Sequence, residues 1–514
     1  MMDMLAVVPI VVNAGAALLP AILAPLASAL ALLLRPRELA AAVRRRPLRW
    51  LSAVAVCAAA GAGGWWLLSA AALARSPQTA VAAIDWAQVA LALERSDLVA
   101  AAGTDAIAVF RQGYHRSGHA GGAAPRGLRL RWAYTAPGSM FLSSPTVRGN
   151  RVYATYSTPD PAGWFGTVLC MDLASGRVIW ETNVANGEVL KPFFSSPAIT
   201  EDGKWLLIGQ GLHDNDNCAL LCLDAETGQP RWTVPTPLHI EGSPAILGDM
   251  VVAGAGAIEG PDRKPRGDIG FVLAVRISDG AELWRYALND PESSPAIALD
   301  GTVYIGSGFQ GNAVVALRSE TDQQLAAAGL SRLIWRTPSP HPVTGAVTLV
   351  DDLVIVGAGN SDYVFSHPQP AGVVLALDAK TGEVRWTADL GDAVLGPIAA
   401  VNGRIVAPVR SGQVVAMTDY SGAVLWSARI SGRSPILAGP AAAEGLVYAV
   451  SRDGYLGVID AATGELLEKV AINDDANPGR EGLSFSSPTV AHGLVIVGSE
   501  TGGLRCYEAA RTAP

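Results

Sequence analysis

Charge is scarce in this sequence. Asp, Glu, Lys and Arg make up 16% of its 514 residues, and the formal net charge is −8. No basic field marks a nucleic-acid partner. Cysteine is scarce too: five are scattered along the chain, and no pair reads as CxxC, CxxCH or a zinc ligand set. A haem attachment site is therefore excluded. The hydrolase signatures GxSxG and HExxH are missing as well, and no catalytic residue is assigned. Glycine and proline, by contrast, are plentiful at 55 and 33 residues, and there are 13 tryptophans.

The apolar residues fall into two regimes. At the front, Leu5 to Leu34 is an unbroken apolar run, followed by Arg35, Arg37, Arg44, Arg45, Arg46 and Arg49, and then by a second run from about Trp50 to Ala74. Each run is long enough to span a bilayer with tilt. The pattern predicts a transmembrane helical hairpin over 1–75, with its Arg-rich loop in the cytoplasm. That places the chain in the inner membrane with the remainder on the periplasmic side. A cleaved signal peptide is the alternative for the first run, but no positive n-region precedes it. Cys57 does not read as a lipoprotein site, because the preceding Val56 is bulky. Residues 76–125 read as a juxtamembrane helix and a linker, the latter from the small-residue tract Gly118 to Arg126.

From 126 to 510 the chain repeats every 40 to 52 residues or so. Each unit holds four strand-length segments with tight glycine turns between some of them, which argues for antiparallel sheets. Units open on SSP at Ser143, Ser195, Ser293 and Ser486, with variants at Gly242, Thr344, Leu395 and Ala438. They close on Trp180, Trp232, Trp284, Trp335, Trp386 and Trp426, whereas the seventh ends in GELLEK. The eighth unit lacks a fourth strand. LRLRWAYTA, with Trp132, supplies it from the front and closes a ring. Cys170, Cys222 and Cys506 share one repeat position with Ala316, Ala376 and Ala416, which marks a small buried side chain there.

The stretch ALDAKTGEVRW carries Ala376, Asp378, Thr381, Gly382 and Trp386 at fixed offsets, and other units match it in part. It resembles the tryptophan-docking motif of the pyrroloquinoline quinone (PQQ)-type propellers. FRQGYHRSG, Phe110 to Gly118, resembles the lead-in to such rings. The resemblance implies an all-β, eight-bladed β-propeller of four-stranded antiparallel blades, behind the transmembrane hairpin. Gly takes the positive φ of a turn, Asp and Thr bond its backbone, and Trp is suited to wedge between blades. Recurrence in most blades makes the motif a fastener, since an active site is needed once.

Short turns between first and second strands, and most between third and fourth, fall on one face of such a ring. The opposite face takes the longer, variable loops, where binding tends to sit. Candidate partner-binding residues there are Trp164 and Phe165, His213, Asp214 and Asp216 of HDNDN, and Tyr363 and Phe365. HDNDN lacks the spacing and the distal Glu of a calcium loop and reads as a solvated loop, so no metal ligand is assigned. Two functions remain. One is a non-catalytic scaffold for protein or cell-wall partners, resembling the outer-membrane-assembly branch of these propellers and needing no cofactor. The other, which the family also implies, is a membrane-bound dehydrogenase for alcohols or sugars that holds PQQ with calcium.

Overall fold

The structure, a computed structural model, describes residues 110–510 apart from 112, 162, 214, 257–269 and 474–483. The hairpin expected over 1–75, the helix expected after it and Asp214 all lie outside the described residues.

Eight four-stranded antiparallel blades form a closed ring. In blade 1, Thr146–Arg148, Arg151–Asp160, Gly163–Asp172 and Val178–Thr182 pair in that order from the axis outward. Blade 8 takes three strands from the end of the chain, Thr489–Ala491, Leu494–Ser499 and Gly503–Ala509. Its outer strand, Leu128–Tyr134, comes from the front. Blade edges that a linear array would leave open are thereby joined. His119–Ala120, in the tract read as a linker, pairs in parallel with Ala441–Ala443 of blade 7.

The middle strands read as apolar throughout because both faces are covered. Met250–Ala255 in blade 3 is buried at every position. Cores therefore form between blades. Tyr153 and Cys170 of blade 1 pack on Leu206 and Leu221 of blade 2, and Val152 and Leu169 of blade 1 pack on Ile496 and Leu504 of blade 8.

The small repeat position has a register reason. Cys170 faces Trp180, Cys222 faces Trp232, Ala376 faces Trp386 and Cys506 faces Trp132. The same holds for Trp284, Trp335 and Trp426 opposite Ala274, Ala316 and Ala416. The residue opposite each indole is therefore Cys or Ala, which leaves the large ring free to lie over the next blade. Blade 7, which lacks the Trp, has Val458 there, facing Glu468.

Each of the seven indoles donates its N–H to a carbonyl of the next blade. The shortest bond runs from Trp386 to Asp419 at 2.7 Å and the longest from Trp180 to Ala225 at 3.2 Å. Six rings also cover the turn glycine of that blade: a Cβ on Gly382 would lie 2.6 Å from Trp335. Trp284 meets blade 4, where an insertion replaces the turn. There the helix Asp322–Ala328 begins at a Thr321 capping box, and the Arg332 guanidinium lies 4.4 Å from the Trp284 ring. This helix is about 10 Å long. Among the described residues no helix is long and apolar enough to cross a membrane.

Candidate functional site

The unit openings line the axis, and their serines link the blades. The second serine of one opening accepts from a backbone N–H of the blade before it. Gly439 donates to Ser487, Ser487 to Ser144, Ser144 to Ser196, Ser196 to Ser243 and Ser243 to Ser294, each over 2.8–3.0 Å. The series stops where the openings become Thr344-Gly345-Ala346 and Leu395-Gly396-Pro397, which offer no such hydroxyl.

The lead-in, Phe110 to Gly118, plugs this channel. Its carbonyls at His115, Ser117 and Gly118 accept from Leu349, Ala400 and Ala442 on the inner strands of blades 5, 6 and 7. Arg116 reaches the Ser243 and Pro244 carbonyls at 2.9 and 2.7 Å, and Arg111 reaches those of Pro440 and Ile398 at 2.6 and 2.8 Å. Burial pushes both guanidinium groups down to about 9, so both stay charged at neutral pH while satisfying carbonyls that face the axis.

Above Phe110 remains a cavity of about 50 Å³, walled by the serines and by Glu241, Glu292 and Thr344. Three aromatic rings from distant segments close over it. Phe194, Tyr363 and Phe485 lie with centroids 5.5–5.7 Å apart, and the Tyr363 hydroxyl donates to the Leu395 carbonyl at 3.0 Å.

At the same mouth, four polar side chains converge from the long-loop side. His239 and Glu241 come from the connection between blades 2 and 3, Glu292 from the next connection, and His213 from the loop inside blade 2. Glu292 Oε1 lies 2.8 Å from His239 Nε2 and 3.1 Å from His213 Nδ1, and Glu241 Oε1 lies 3.5 Å from His213 Nδ1. Burial alone would raise Glu292, but His213 and His239 outweigh it and hold that carboxyl well below the usual range. Glu241 is pushed up by burial and by the Glu292 charge, with the histidines offsetting part of it. Burial lowers His239, yet its bond to Glu292 and the nearby charges raise it on balance.

The residues singled out by sequence separate into two groups. His213 and Tyr363 turn in toward the axis. Trp164 and Phe365 point away, 45% and 66% exposed. Phe165 lines an open groove beside Tyr156 and Thr158, and Asp216 pairs with Lys191 at 3.9 Å. His239, Glu241 and Glu292 escaped the sequence reading, although a signal existed. Glu241 and Glu292 occupy the residue just before a unit opening. The other six units place Leu142, Phe194, Val343, Val394, Leu437 and Phe485 there.

The site does not fit a PQQ–calcium pair. A fused tricyclic quinone is a drug-sized ligand, for which pockets run to about 300–1,000 Å³, and this cavity is about 50 Å³. Calcium takes six to eight oxygens or so, whereas the mouth offers two imidazoles among its donors.

The family described as outer membrane protein assembly factor BamB matches residues 164–326 and 370–512, over half of the chain. The outer membrane protein assembly factor BamB of Yersinia pestis is 22% identical over 376 residues, which is 71% of this chain and 83% of that protein. The quinohemoprotein alcohol dehydrogenase ADH-IIG of Pseudomonas putida is 25% identical over 268 residues, 48% of this chain and 35% of that protein. The crystal structure of BamB from Moraxella catarrhalis superposes with a TM-score of 0.55 at 17% identity, covering 75% of this chain and 99% of that one. The quinohemoprotein alcohol dehydrogenase of Comamonas testosteroni superposes at 0.58 and 15% identity, covering 83% and 85%. Likeness at these identities shows the fold alone.

These findings correct the inner-membrane location expected from the sequence. No helix among the described residues is long and apolar enough to cross a membrane, and relatives matching most of this chain's length are named for outer membrane protein assembly. The described apolar residues are spent on packing between blades. They sit in strands of ten residues or fewer, facing neighbouring blades.

Proposed function

We propose that this chain, which belongs to the outer membrane protein assembly factor BamB family, works as a non-catalytic propeller scaffold of the cell envelope that holds protein partners. Its working surface is the long-loop face. The observation that carries the reading is the pair of exposed aromatic tips there. Trp164 sits near the end of a hairpin whose strands, Arg151–Asp160 and Gly163–Asp172, are each ten residues long, and its distal part runs beyond the paired inner and outer strands of the blade. Phe365 stands on the loop inside blade 5, beside the exposed Val364. Aromatic side chains held out on a rigid frame are the residue type that anchors protein interfaces. The packed axis supports the same reading, because it leaves no volume for a large cofactor.

The test is expression of the full chain in a bacterium deleted for its own assembly factor, with the levels of outer membrane proteins as the readout. Restored levels are expected, as is loss of the restoration when Trp164→Ala and Phe365→Ala are combined. A stably folded chain that restores nothing contradicts the reading.

A further inference from the structure

The four polar side chains at the channel mouth have no part in the scaffold reading. They come from three separate segments, yet their ligating atoms converge. One atom each from His213, His239 and Glu241 lies within 4.8 Å of the other two, and Glu292 Oε1 bridges the two imidazoles at 2.8 and 3.1 Å. We propose that His213, His239 and Glu241, closed by Glu292, form a binding site for one divalent transition cation of the Zn²⁺ type.

Two imidazoles with carboxylates are the donor set of borderline cations such as Zn²⁺, with bonds of about 2.0–2.2 Å. Donors on a tetrahedral cation then stand about 3.3 Å apart, so the present arrangement needs only small side-chain shifts. The electrostatics favour a cation. Glu241 and Glu292 are both buried and each approaches His213 Nδ1, and a dication offsets both carboxylate charges. His213 Nδ1 and His239 Nε2 each give a lone pair to the cation; a ring that is imidazolium beforehand releases one proton to solvent, and each bound ring keeps one N–H on its other nitrogen.

The surroundings are built around His239. The ring is fully buried, and its Nε2 lies 2.8 Å from Glu292 Oε1. A Cβ on Gly256 would lie 2.6 Å from His239 Nε2, and one on Gly211 would lie 2.8 Å from His239 Cβ. Both glycines leave room that the imidazole fills. His213 is half exposed and gives the cation a way in from the long-loop face. Once bound, the ion ties the loop inside blade 2 to the connections on either side of blade 3. This inference does not depend on the scaffold reading.

The test uses the full chain, stripped with a chelator and titrated with Co²⁺ and then Zn²⁺. One Co²⁺ per chain is expected, with visible d–d absorption, displaced stoichiometrically by Zn²⁺ and not by millimolar Ca²⁺. His213→Gln, at a half-exposed position that the fold tolerates, should weaken binding at least about 100-fold, as should Glu241→Gln. His492→Gln, in the first turn of blade 8 on the short-turn face, should leave it unchanged. No stoichiometric binding at tens of micromolar metal, or binding that survives His213→Gln, overturns the proposal.

Discussion

Around the rim, seven tryptophans make the same contact: each donates an indole N–H to a carbonyl of the next blade. At the mouth of the axis every contribution differs. Blade 2 gives His213, the connections on either side of blade 3 give His239, Glu241 and Glu292, and blade 5 gives Tyr363. A contact repeated seven times builds architecture. A contact made once, where the other units carry an apolar residue, has a local purpose. The comparison separates stability from function without naming a ligand.

The rim is where the largest stability losses should fall. Trp386→Ala removes a buried indole and its bond to Asp419 and should cost about 3–5 kcal/mol, read as a shift in the urea midpoint. Leu467→Ala in blade 7, which has no indole, should cost well under half of that. Equal losses would break the claim that the tryptophans carry the rim.

Two glycines sharpen it further. Gly382 has φ +74° and a Cβ there would meet Trp335 at 2.6 Å, while Gly391 has φ +73° and open space around it. Alanine at either site bears the left-handed backbone penalty of about 1–2 kcal/mol. Only Gly382→Ala should add about 1–3 kcal/mol more by forcing the neighbouring indole out. Matching midpoints for the two variants would mean that the Trp–Gly contact is slack.

A smaller effect belongs to the axial serines. Ser196→Ala strands the buried N–H of Ser144 and should cost about 1–3 kcal/mol, measured by the same midpoint.

The smallest lies in the turns. The carboxyls of Asp172, Asp378 and Asp460 are held below the usual carboxylate range. Asp172 is held by its bond from the Ser175 hydroxyl, Asp378 by its bond from Arg385 and then Thr381, and Asp460 by the Thr463 backbone N–H. A depressed folded value gives stability that is present above the unfolded value, about 3.9, and lost as pH falls through the folded one. The urea midpoint should therefore fall below about pH 4, and Asp378→Asn should flatten that fall slightly. A steeper fall in the variant would contradict the sign.

The ring itself was legible because its devices recur. Eight openings, six closing tryptophans and a strand displaced to the front give blade number and closure without coordinates. The cross-strand pairing of small residue and Trp was visible only as an alternation of Cys and Ala, since register is not written in one strand. By its sequence HDNDN reads as a solvated loop. Alone it is one, but folding brings His213 against residues 26 to 79 positions away. Glu241 and Glu292 show up only when units are aligned on their openings and the odd residue is sought. The lead-in was recognisable, but not that Arg111 and Arg116 would plug the channel, because their partners are backbone carbonyls with no sequence signature.

The most direct test of the filled axis is a titration of the full chain with PQQ in the presence of calcium, followed by quinone absorbance and dye-linked oxidation of alcohols and sugars. A cavity of about 50 Å³ closed by Phe194, Tyr363 and Phe485 predicts no saturable binding and no turnover. One PQQ bound per chain with dye reduction would contradict it, and would mean that the aromatic closure opens to admit a quinone.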